Sequence, residues 1–255
     1  MKEMIEKFKN RKIKAKEIFE IRPIAKPEAY EFVKTFHYLG DAKFFSMYSF
    51  GLFYKPTDTL VGVSTFSLPQ GNVALKGWFG LPNSDKSVVE LSRLCVLPEL
   101  NGTNATSFLL GGSIRLLKKG GLVRAVITLA DSSRHVGSIY QVCNFTYYGL
   151  TDKKNDFYRE DGVVNPRGKT STVHGVWVPR TRKHRYAIIL DKNLHCGYVE
   201  CSRPKSSDVV SSDICPVCGG THKVFDKRFG EWYTCPHCGE FHKIDEETKN
   251  EENHD

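Results

Sequence analysis

The sequence predicts an α/β protein of the mixed (α+β) type, with a mixed central β-sheet flanked by helices and a small C-terminal metal-binding module. Two observations predict the main domain. An apolar strand pattern over residues 88–97 leads into a helical pattern, and a strand–loop–helix–strand pattern covers residues 123–148. Strands that alternate with helices favour a sheet covered by helices. The third observation is two Cys-x-x-Cys motifs near the C-terminus, which favour a zinc site.

Composition narrows the class of protein. At 255 residues the chain is long enough to bury a core, and 40% hydrophobic with 26% charged residues is ordinary for a soluble globular protein. The sequence has no apolar run long enough to span a membrane, and residues 1–16 have no apolar signal-peptide core. We therefore expect a cytoplasmic protein with no membrane partner.

The charge distribution points to a polyanionic partner. Residues 245–255 contain six acids and one lysine, so this tail contributes −5 to a formal net charge of +8 and leaves +13 for the rest. A strongly basic body favours binding to DNA or RNA. A generally basic protein with no such partner is the alternative.

The first predicted helix presents two candidate site residues. Residues 17–24 alternate enough for a first strand, and Pro27 then marks a helix start. One apolar helical face follows, made of Ala29, Phe32, Val33 and Phe36, with Gly40 as a stop signal. His37 and Tyr38 therefore lie at a helix C-terminus, where they either cap and pack or take part in a site.

Two further strands are predicted at residues 44–54 and 60–68, joined by a turn at 55–58. Residues 71–87 are rich in Gly, Pro and Asn and indicate a loop. Trp78 and Phe79 in this segment form either a lid or stacking surface, or simple packing under a long loop.

The central strand leads to a predicted anion site. Pro98 ends the strand over residues 88–97, and a helix extends to Lys119 after a small-residue loop. A strand followed by such a loop and a helix N-terminus can present backbone N–H groups to phosphate oxygens. The candidate residues are Gly102, Thr103, Asn104, Ala105 and Ser107.

The segment from Val123 to Tyr148 carries the candidate chemistry. An apolar strand at 123–129 is followed by a polar loop at 131–137, a short helix and an aromatic strand at 145–148. In α/β sheets ligands bind where strands end and helices begin. We expect Ile139 and Cys143 to form the buried helix face, which leaves Tyr140 free to point toward the loop. Asp131, His135 and Tyr140 thus form a plausible reactive cluster.

A basic region follows. Residues 152–172 indicate a polar loop long enough to bind substrate, and residues 173–178 and 186–190 indicate the last strands of the domain. The segment between these strands holds four fixed positive charges in eight residues, which suits a phosphate backbone or a solvated turn. The candidate DNA contacts are Arg167, Lys169, Arg180, Arg182, Lys183 and Arg185.

The C-terminal module is predicted to be a zinc ribbon. Each Cys-Pro-x-Cys-Gly motif supplies two thiolates, and four thiolates make a closed, structural zinc site. The ligands are Cys215, Cys218, Cys235 and Cys238, with a hairpin expected between the two pairs. The domain boundaries that follow are a basic arm at 1–16, a main domain at 17–193, a linker at 194–212, the ribbon at 213–244 and an acidic tail at 245–255.

Several short motifs resemble the Mom family of phage DNA-modification proteins, which belongs to the GNAT acyltransferase superfamily. The resemblance covers roughly residues 17–191. Its main part runs from Ala130 to Gly149, and supporting pieces are His37-Tyr38, Glu90-Leu-Ser-Arg-Leu94 and Lys183-His-Arg-Tyr186. It implies a GNAT-like sheet, an acyl-CoA-like or other glycyl or acyl donor at the 102–107 loop, and double-stranded DNA as partner.

The resemblance also implies an activity, the conversion of adenine in DNA to N6-carbamoylmethyladenine, which shields phage DNA from restriction. An exocyclic amine is a weak nucleophile and needs a proton acceptor. Asp131 is the expected general base, with Tyr140, Tyr38, His37 or His135 in supporting roles. Two alternatives remain open: a conventional N-acyltransferase on a protein or small molecule, and a non-catalytic DNA-binding adaptor. The superfamily's usual glycine-rich run is absent from residues 101–105, which argues against the first.

Overall fold

The structure is a computed structural model. It describes residues 14–37, 44–69, 74–132, 135–152, 154–159, 164–165, 175–179, 181–205, 223–226, 230–234 and 241–243. The described residues fall into two compact units. The first comprises residues up to 130 together with 137–149 and 185–203, and the second comprises residues 131–136, 150–184 and those from 204 onward.

A mixed seven-stranded sheet dominates the fold, with spatial order β1-β2-β3-β4-β5-β10-β6. Neighbours from β1 to β4 are antiparallel, and β4 and β5 are parallel. This mixed sheet with flanking helices confirms the predicted fold class. Its strands are β1 Phe19–Pro23, β2 Tyr48–Tyr54, β3 Thr59–Ser67, β4 Val88–Val96, β5 Ala125–Asp131, β6 Thr146–Leu150 and β10 Lys183–Ile189.

Five α-helices are present in the described part of the chain. The longest helix, α4, is capped by Gly121, which adopts a left-handed conformation with φ of 73°. This conformation favours glycine because glycine has no Cβ. A 3-10 turn at Pro98–Leu100 separates β4 from α4. The helices are α1 Ala15–Ile18, α2 Lys26–Phe36, α3 Ala74–Phe79, α4 Ala105–Gly120 and α5 Ser138–Val142.

The central strands β4 and β5 are covered on both faces. Val88, Ala125 and Ile127 pack in one cluster with α3, and Val89 and Val126 pack in another with α4. Strands buried on both faces have nearly continuous apolar sequences, which is why these two were predictable from composition alone.

The segment predicted to be a loop at residues 71–87 contains helix α3. Trp78 is 4% exposed and Phe79 is 8% exposed, and both belong to the core. The packing interpretation is therefore correct, and the lid interpretation is wrong. Tyr198 contacts the Trp78 ring edge-on at 5.1 Å, and the Gly197 N–H donates to the Trp78 carbonyl at 2.6 Å. Residues assigned to the start of a linker thus pack on α3.

The segment predicted to be a polar loop at residues 152–172 is partly β-structure. Strand β7 Asn155–Arg159 pairs with both β8 Val164–Asn165 and β9 Gly175–Pro179 in a separate three-stranded sheet, in the order β8-β7-β9. Phe157 is 3% exposed. The polar composition of this segment predicted a loop, whereas the structure has a sheet in which Phe157 is buried.

A second small sheet lies near the C-terminus and consists of β11 Lys223–Asp226, β12 Gly230–Thr234 and β13 Phe241–Lys243. Antiparallel pairing runs from Lys223 opposite Tyr233 to Asp226 opposite Gly230. The hairpin expected between the two Cys-x-x-Cys motifs is therefore confirmed. Among the described residues, no helix is long and apolar enough to cross a membrane.

Candidate active site

Asp131 is the last residue of β5, and the main chain that follows it is held in place. The His135 N–H donates to the Asp131 carbonyl at 3.0 Å. Ser132, which is 5% exposed, donates twice to the Arg182 carbonyl, from its N–H at 3.1 Å and from Oγ at 2.8 Å. The Asp131 side chain itself is half-buried and that of His135 is exposed. A carboxylate that has solvent access and lies on a fixed main chain at a strand end can accept a proton from a bound substrate.

Arg182 connects this loop to the end of β6. Its Nε donates to the Thr151 carbonyl at 2.6 Å, and its Nη2 lies 3.5 Å from the Leu150 carbonyl. The Thr151 N–H in turn donates to the Lys183 carbonyl at 2.8 Å. The Arg182 guanidinium therefore makes internal hydrogen bonds, while its own carbonyl holds Ser132.

Tyr140 lies in an aromatic cluster on α5. Its ring centroid is 5.5 Å from that of Tyr186 and 5.8 Å from that of Phe145, and the Gln141 amide donates to the Tyr186 hydroxyl at 3.0 Å. Gly137 begins the helix with φ of 76°, and a Cβ there would lie 2.7 Å from the Tyr186 ring. This packing fixes the Tyr140 ring, as a positioning role requires.

Cys143 is the C-cap residue of α5 and packs, like Tyr140, against the core. Its Sγ is 3.6 Å from the Ser107 carbonyl on α4. Burial raises the pKa of the Cys143 thiol to about 11, so the group is a neutral thiol at neutral pH and a poor nucleophile. The structure therefore gives Cys143 a packing role.

His37 is the C-cap residue of α2, where its N–H donates to the Val33 carbonyl at 2.9 Å. Burial, and secondly the positive charge of Arg93, lower the pKa of His37 to about 4. The imidazole is consequently neutral at neutral pH and can accept or donate a hydrogen bond. Tyr38, its predicted partner, lies outside the described residues.

Arg93 is a candidate that we did not assign from the sequence. It lies in β4 opposite Thr65 of β3, and its Nη1 donates to the Ser92 carbonyl at 2.7 Å. Its charge acts on His37. The available signal was a charged residue inside an apolar central strand, which is unusual unless the charge has a partner or a task.

The β4 and β5 strands diverge toward the predicted site. Their parallel pairing joins Val88, Val89 and Glu90 to Ala125, Val126 and Ile127. In the described parts of both strands it ends there, although β4 continues to Val96 and β5 to Asp131. The β5-facing edge of β4 from Leu91 onward therefore has backbone groups outside the ladder. Such N–H groups can polarise a carbonyl of a bound group donor.

The predicted anion loop ends at the N-terminus of α4. Gly102 has φ of 80°, and Thr103 Oγ1 accepts from the Ala105 N–H at 3.2 Å. Asn104 is the N-cap residue, and its carbonyl accepts from the Ser107 hydroxyl at 3.0 Å and the Phe108 N–H at 2.9 Å. The Ala105 N–H is therefore engaged, whereas the next two N–H groups precede the first intrahelical bond of this turn.

Three of the six predicted DNA contacts, Arg167, Lys169 and Arg180, lie outside the described residues. Lys183 is half-buried in β10. Arg185 is 9% exposed, and its guanidinium carbon lies 4.3 Å from the centre of the Tyr198 ring, a cation–π contact. DNA binding by these residues stays a prediction, and Arg182 and Arg185 would have to give up internal contacts to make it.

The four predicted zinc ligands, Cys215, Cys218, Cys235 and Cys238, also lie outside the described residues. Strands β11 and β12 fill the sequence between the two pairs, and β13 follows the second. Within the described part of the chain, no group of three or more His, Cys, Asp or Glu residues could hold a metal ion.

A model of the Mom protein family matches residues 18–206 of the chain. Among solved structures, the chain is similar to the ribosomal-protein-S18-alanine N-acetyltransferase from Escherichia coli, with 14% identity and a TM-score of 0.43 over 70% of this chain and 99% of that one. It is also similar to an N-acetyltransferase from Staphylococcus aureus Mu50, with 16% identity and a TM-score of 0.42 over 68% and 99%. No curated protein matches the chain.

Proposed function

The chain belongs to the Mom protein family, and from that premise we propose that it modifies adenine in double-stranded DNA by transferring a group to the exocyclic N6 amine. The product we propose is N6-carbamoylmethyladenine, which protects phage DNA from restriction in the cytoplasm of the host cell. The observation that carries the proposal is the family match over residues 18–206, which includes every residue of the candidate site.

The site supplies a proton acceptor for this chemistry. The lone pair of an exocyclic amine is delocalised into the ring, so the nitrogen must lose a proton as it attacks. We assign the general base to Asp131, whose half-buried carboxylate ends β5. For the carbamoylmethyl product, N6 forms its bond to the methylene carbon of the donor, the N6 proton passes to Asp131, and the leaving group on that carbon departs with the bonding electrons. Neutral His37 and the packed Tyr140 have supporting roles in this proposal.

The donor would enter between the diverging strands β4 and β5. The edge of β4 that lies outside its pairing with β5 offers N–H groups to a donor carbonyl. The α4 N-terminus, with its preceding loop, suits a phosphate group, and the residues there are Gly102, Thr103, Asn104, Ala105 and Ser107. An acyl-CoA-like molecule or another glycyl or acyl donor fits both features. Attack on its acyl carbon would give an N6-acyl adenine, whereas the carbamoylmethyl product requires a donor whose leaving group lies on the methylene carbon. The target adenine would leave the duplex to reach Asp131, as bases do in enzymes that act on them.

The C-terminal module would carry one structural zinc ion, held by Cys215, Cys218, Cys235 and Cys238. The support is the spacing of the four cysteines and the antiparallel hairpin between the two pairs. Four thiolates leave no open coordination position, so this ion would stabilise the module and take no part in the reaction.

The test is mass spectrometry of nucleosides from cells that express the chain. We expect modified adenine, and we expect Asp131→Asn to lower its yield by roughly 100-fold or more while DNA affinity persists, because the amide keeps the shape and loses the acceptor. Tyr140→Phe should lower the yield of modified adenine by less than Asp131→Asn does.

Cys143→Ala, at the C-cap of α5, is the matched control and should change only the stability of the protein. An unmodified nucleoside pool together with acetyl-CoA binding would indicate a conventional acyltransferase, and an unmodified pool with DNA binding alone would indicate an adaptor.

A further inference from the structure

Seven described residues line a groove of about 400 Å³ that we call the basic apolar groove. They come from the start of α2, the segments before β2 and before β4, and the end of β3. They are Lys26, Phe45, Ser46, Met47, Ser67, Leu68 and Lys86. The three apolar side chains are unusually exposed for their type, at 52% for Phe45, 44% for Met47 and 38% for Leu68. Single exposed apolar residues are ordinary, but several around one groove mark an interaction site.

The groove is a fixed surface. The Met47 N–H donates to the Phe66 carbonyl at 2.7 Å, and the Ser46 hydroxyl lies 2.7 Å from that of Ser49. The Ser92 hydroxyl donates to the Phe45 carbonyl at 3.4 Å. The backbone beneath Phe45 is thus tied to both neighbouring strands while its ring faces solvent. A ligand would meet a preformed site and lose little affinity to ordering it.

The positive charge of the groove indicates which class of ligand it binds. Lys26 and Lys86 are exposed, and among the described residues neither forms a salt bridge. A second copy of this basic chain, with a net charge of +8, would bring like charges together at such a surface. An aromatic ring flanked by two ammonium groups suits a ligand with a flat apolar part and a negative charge, and an unpaired nucleotide has both.

We propose that the basic apolar groove binds unpaired DNA, with a base stacked on Phe45 and phosphates at Lys26 and Lys86. This inference rests on the proposed function. Lys26 and His37 lie at opposite ends of α2, an 11-residue helix. Its length is about 16 Å at 1.5 Å per residue, or about five base steps of 3.4 Å. A DNA strand that passes His37 therefore needs about five nucleotides to reach Lys26.

The experiment measures fluorescence anisotropy of a labelled thymidylate dodecamer, and of the matching duplex, between 50 and 200 mM salt. Phe45→Ala should weaken binding of the single strand by roughly 5- to 150-fold, the loss of one stacked base, with an unchanged salt slope. The double variant Lys26→Ala, Lys86→Ala should reduce the slope by about 1.4, since each single-strand phosphate contact contributes about 0.7. Lys118→Ala with Lys119→Ala removes the same charge from the end of α4 and should leave the slope in place.

Several outcomes would overturn the proposal. One is wild-type affinity of folded Phe45→Ala for the dodecamer, and another is equal loss in the two double-lysine variants. A change in sedimentation with no change in dodecamer affinity would identify the groove as a contact between copies. The nucleoside assay separates this proposal from the proposed function. If Phe45→Ala leaves the yield of modified adenine unchanged, the groove proposal is contradicted and the proposed function stands. If binding depends on the groove but no modified adenine forms, the proposed function is contradicted and the groove proposal stands.

Discussion

The burial of individual side chains separates the candidate site residues by role. His37 is partly buried and neutral at neutral pH, Cys143 is a packed neutral thiol, and Asp131 combines a fixed main chain with solvent access. Only Asp131 joins a charge-bearing acceptor to an open position. The proposal that Asp131 is the general base therefore rests on its surroundings as well as on its residue type.

The lowered pKa of His37 gives a prediction about stability and pH. An unfolded chain protonates His37 near pH 6.5, whereas the folded chain does so near pH 4, so the unfolded state binds more protons between these values. The contribution of His37 to stability is complete above pH 6.5 and is lost as pH falls toward 4. His37→Gln should therefore flatten the decline of the urea midpoint across this window. His195→Gln, at an exposed position, is the control, and equal slopes in wild type and His37→Gln would contradict the assigned environment.

At the scale of the element, close packing between neighbouring segments decides which substitutions are tolerated. Gly62 in β3 faces Val96 of β4, and a Cβ on Gly62 would lie 2.8 Å from Val96 Cγ1 and 3.2 Å from the Cys95 carbonyl. Gly112 in α4 similarly contacts Ile21 of β1. Both glycines therefore lie where one element closely approaches its neighbour.

Gly62→Ala should consequently destabilise the protein by about 1–3 kcal/mol, because neither a strand carbonyl nor a β-branched side chain can move aside cheaply. Gly120→Ala is the matched control. A Cβ there meets nothing within 4 Å, and alanine favours the helix by roughly 0.5–1 kcal/mol. Denaturant unfolding of both variants measures the difference, and a Gly62→Ala protein as stable as wild type would disprove the close approach.

Arg182, just before β10, and Lys183, the first residue of β10, should have different roles. Lys183→Ala should lower the salt slope of duplex binding by about 0.9 if Lys183 contacts one phosphate, with little loss of stability. Arg182→Ala should lower the melting temperature instead, because it removes the hydrogen bond to Thr151 and loosens the strand that holds Ser132. Calorimetry and salt titration of the two variants separate the roles. A stable Arg182→Ala protein with a reduced slope would reverse this division.

Elements with strong local patterns were predictable, and elements created by distant contacts were not. Strand β4 and helix α4 were predictable from the spacing of their apolar residues and from the proline and glycine residues that end them. Helix α3 was missed because a glycine- and proline-rich stretch hides a helix held by the burial of Trp78. The sheet of β7, β8 and β9 was missed because its polar residues read as a loop. In the site, Asp131 was identifiable from its strand end, whereas the bonds of Arg182 to Thr151 and Ser132 join residues far apart in sequence.

At the scale of the whole molecule, charge and domain order fit a nucleic-acid enzyme with a separate C-terminal module. The seven-stranded sheet and the family match both end by residue 206, before the first Cys-x-x-Cys motif. The basic body precedes an acidic tail, which opposes contact between the C-terminus and DNA. We therefore predict that the seven-stranded sheet folds without the zinc module, although residues from 204 onward share a compact unit with residues 131–136 and 150–184.

The last prediction tests that separation. The full chain should contain one zinc ion, and Cys235→Ser should lose it and unfold the last 40 or so residues, because a module this small has little core without metal. A chain ending at residue 206 should keep the melting transition of the seven-stranded sheet and contain no zinc. Metal analysis and calorimetry of the three proteins measure both quantities, with Cys201→Ser as the control at an exposed cysteine outside the motifs. Stoichiometric zinc in Cys235→Ser would rule out the four-thiolate site, and loss of the transition on truncation would show that the sheet depends on the C-terminal module.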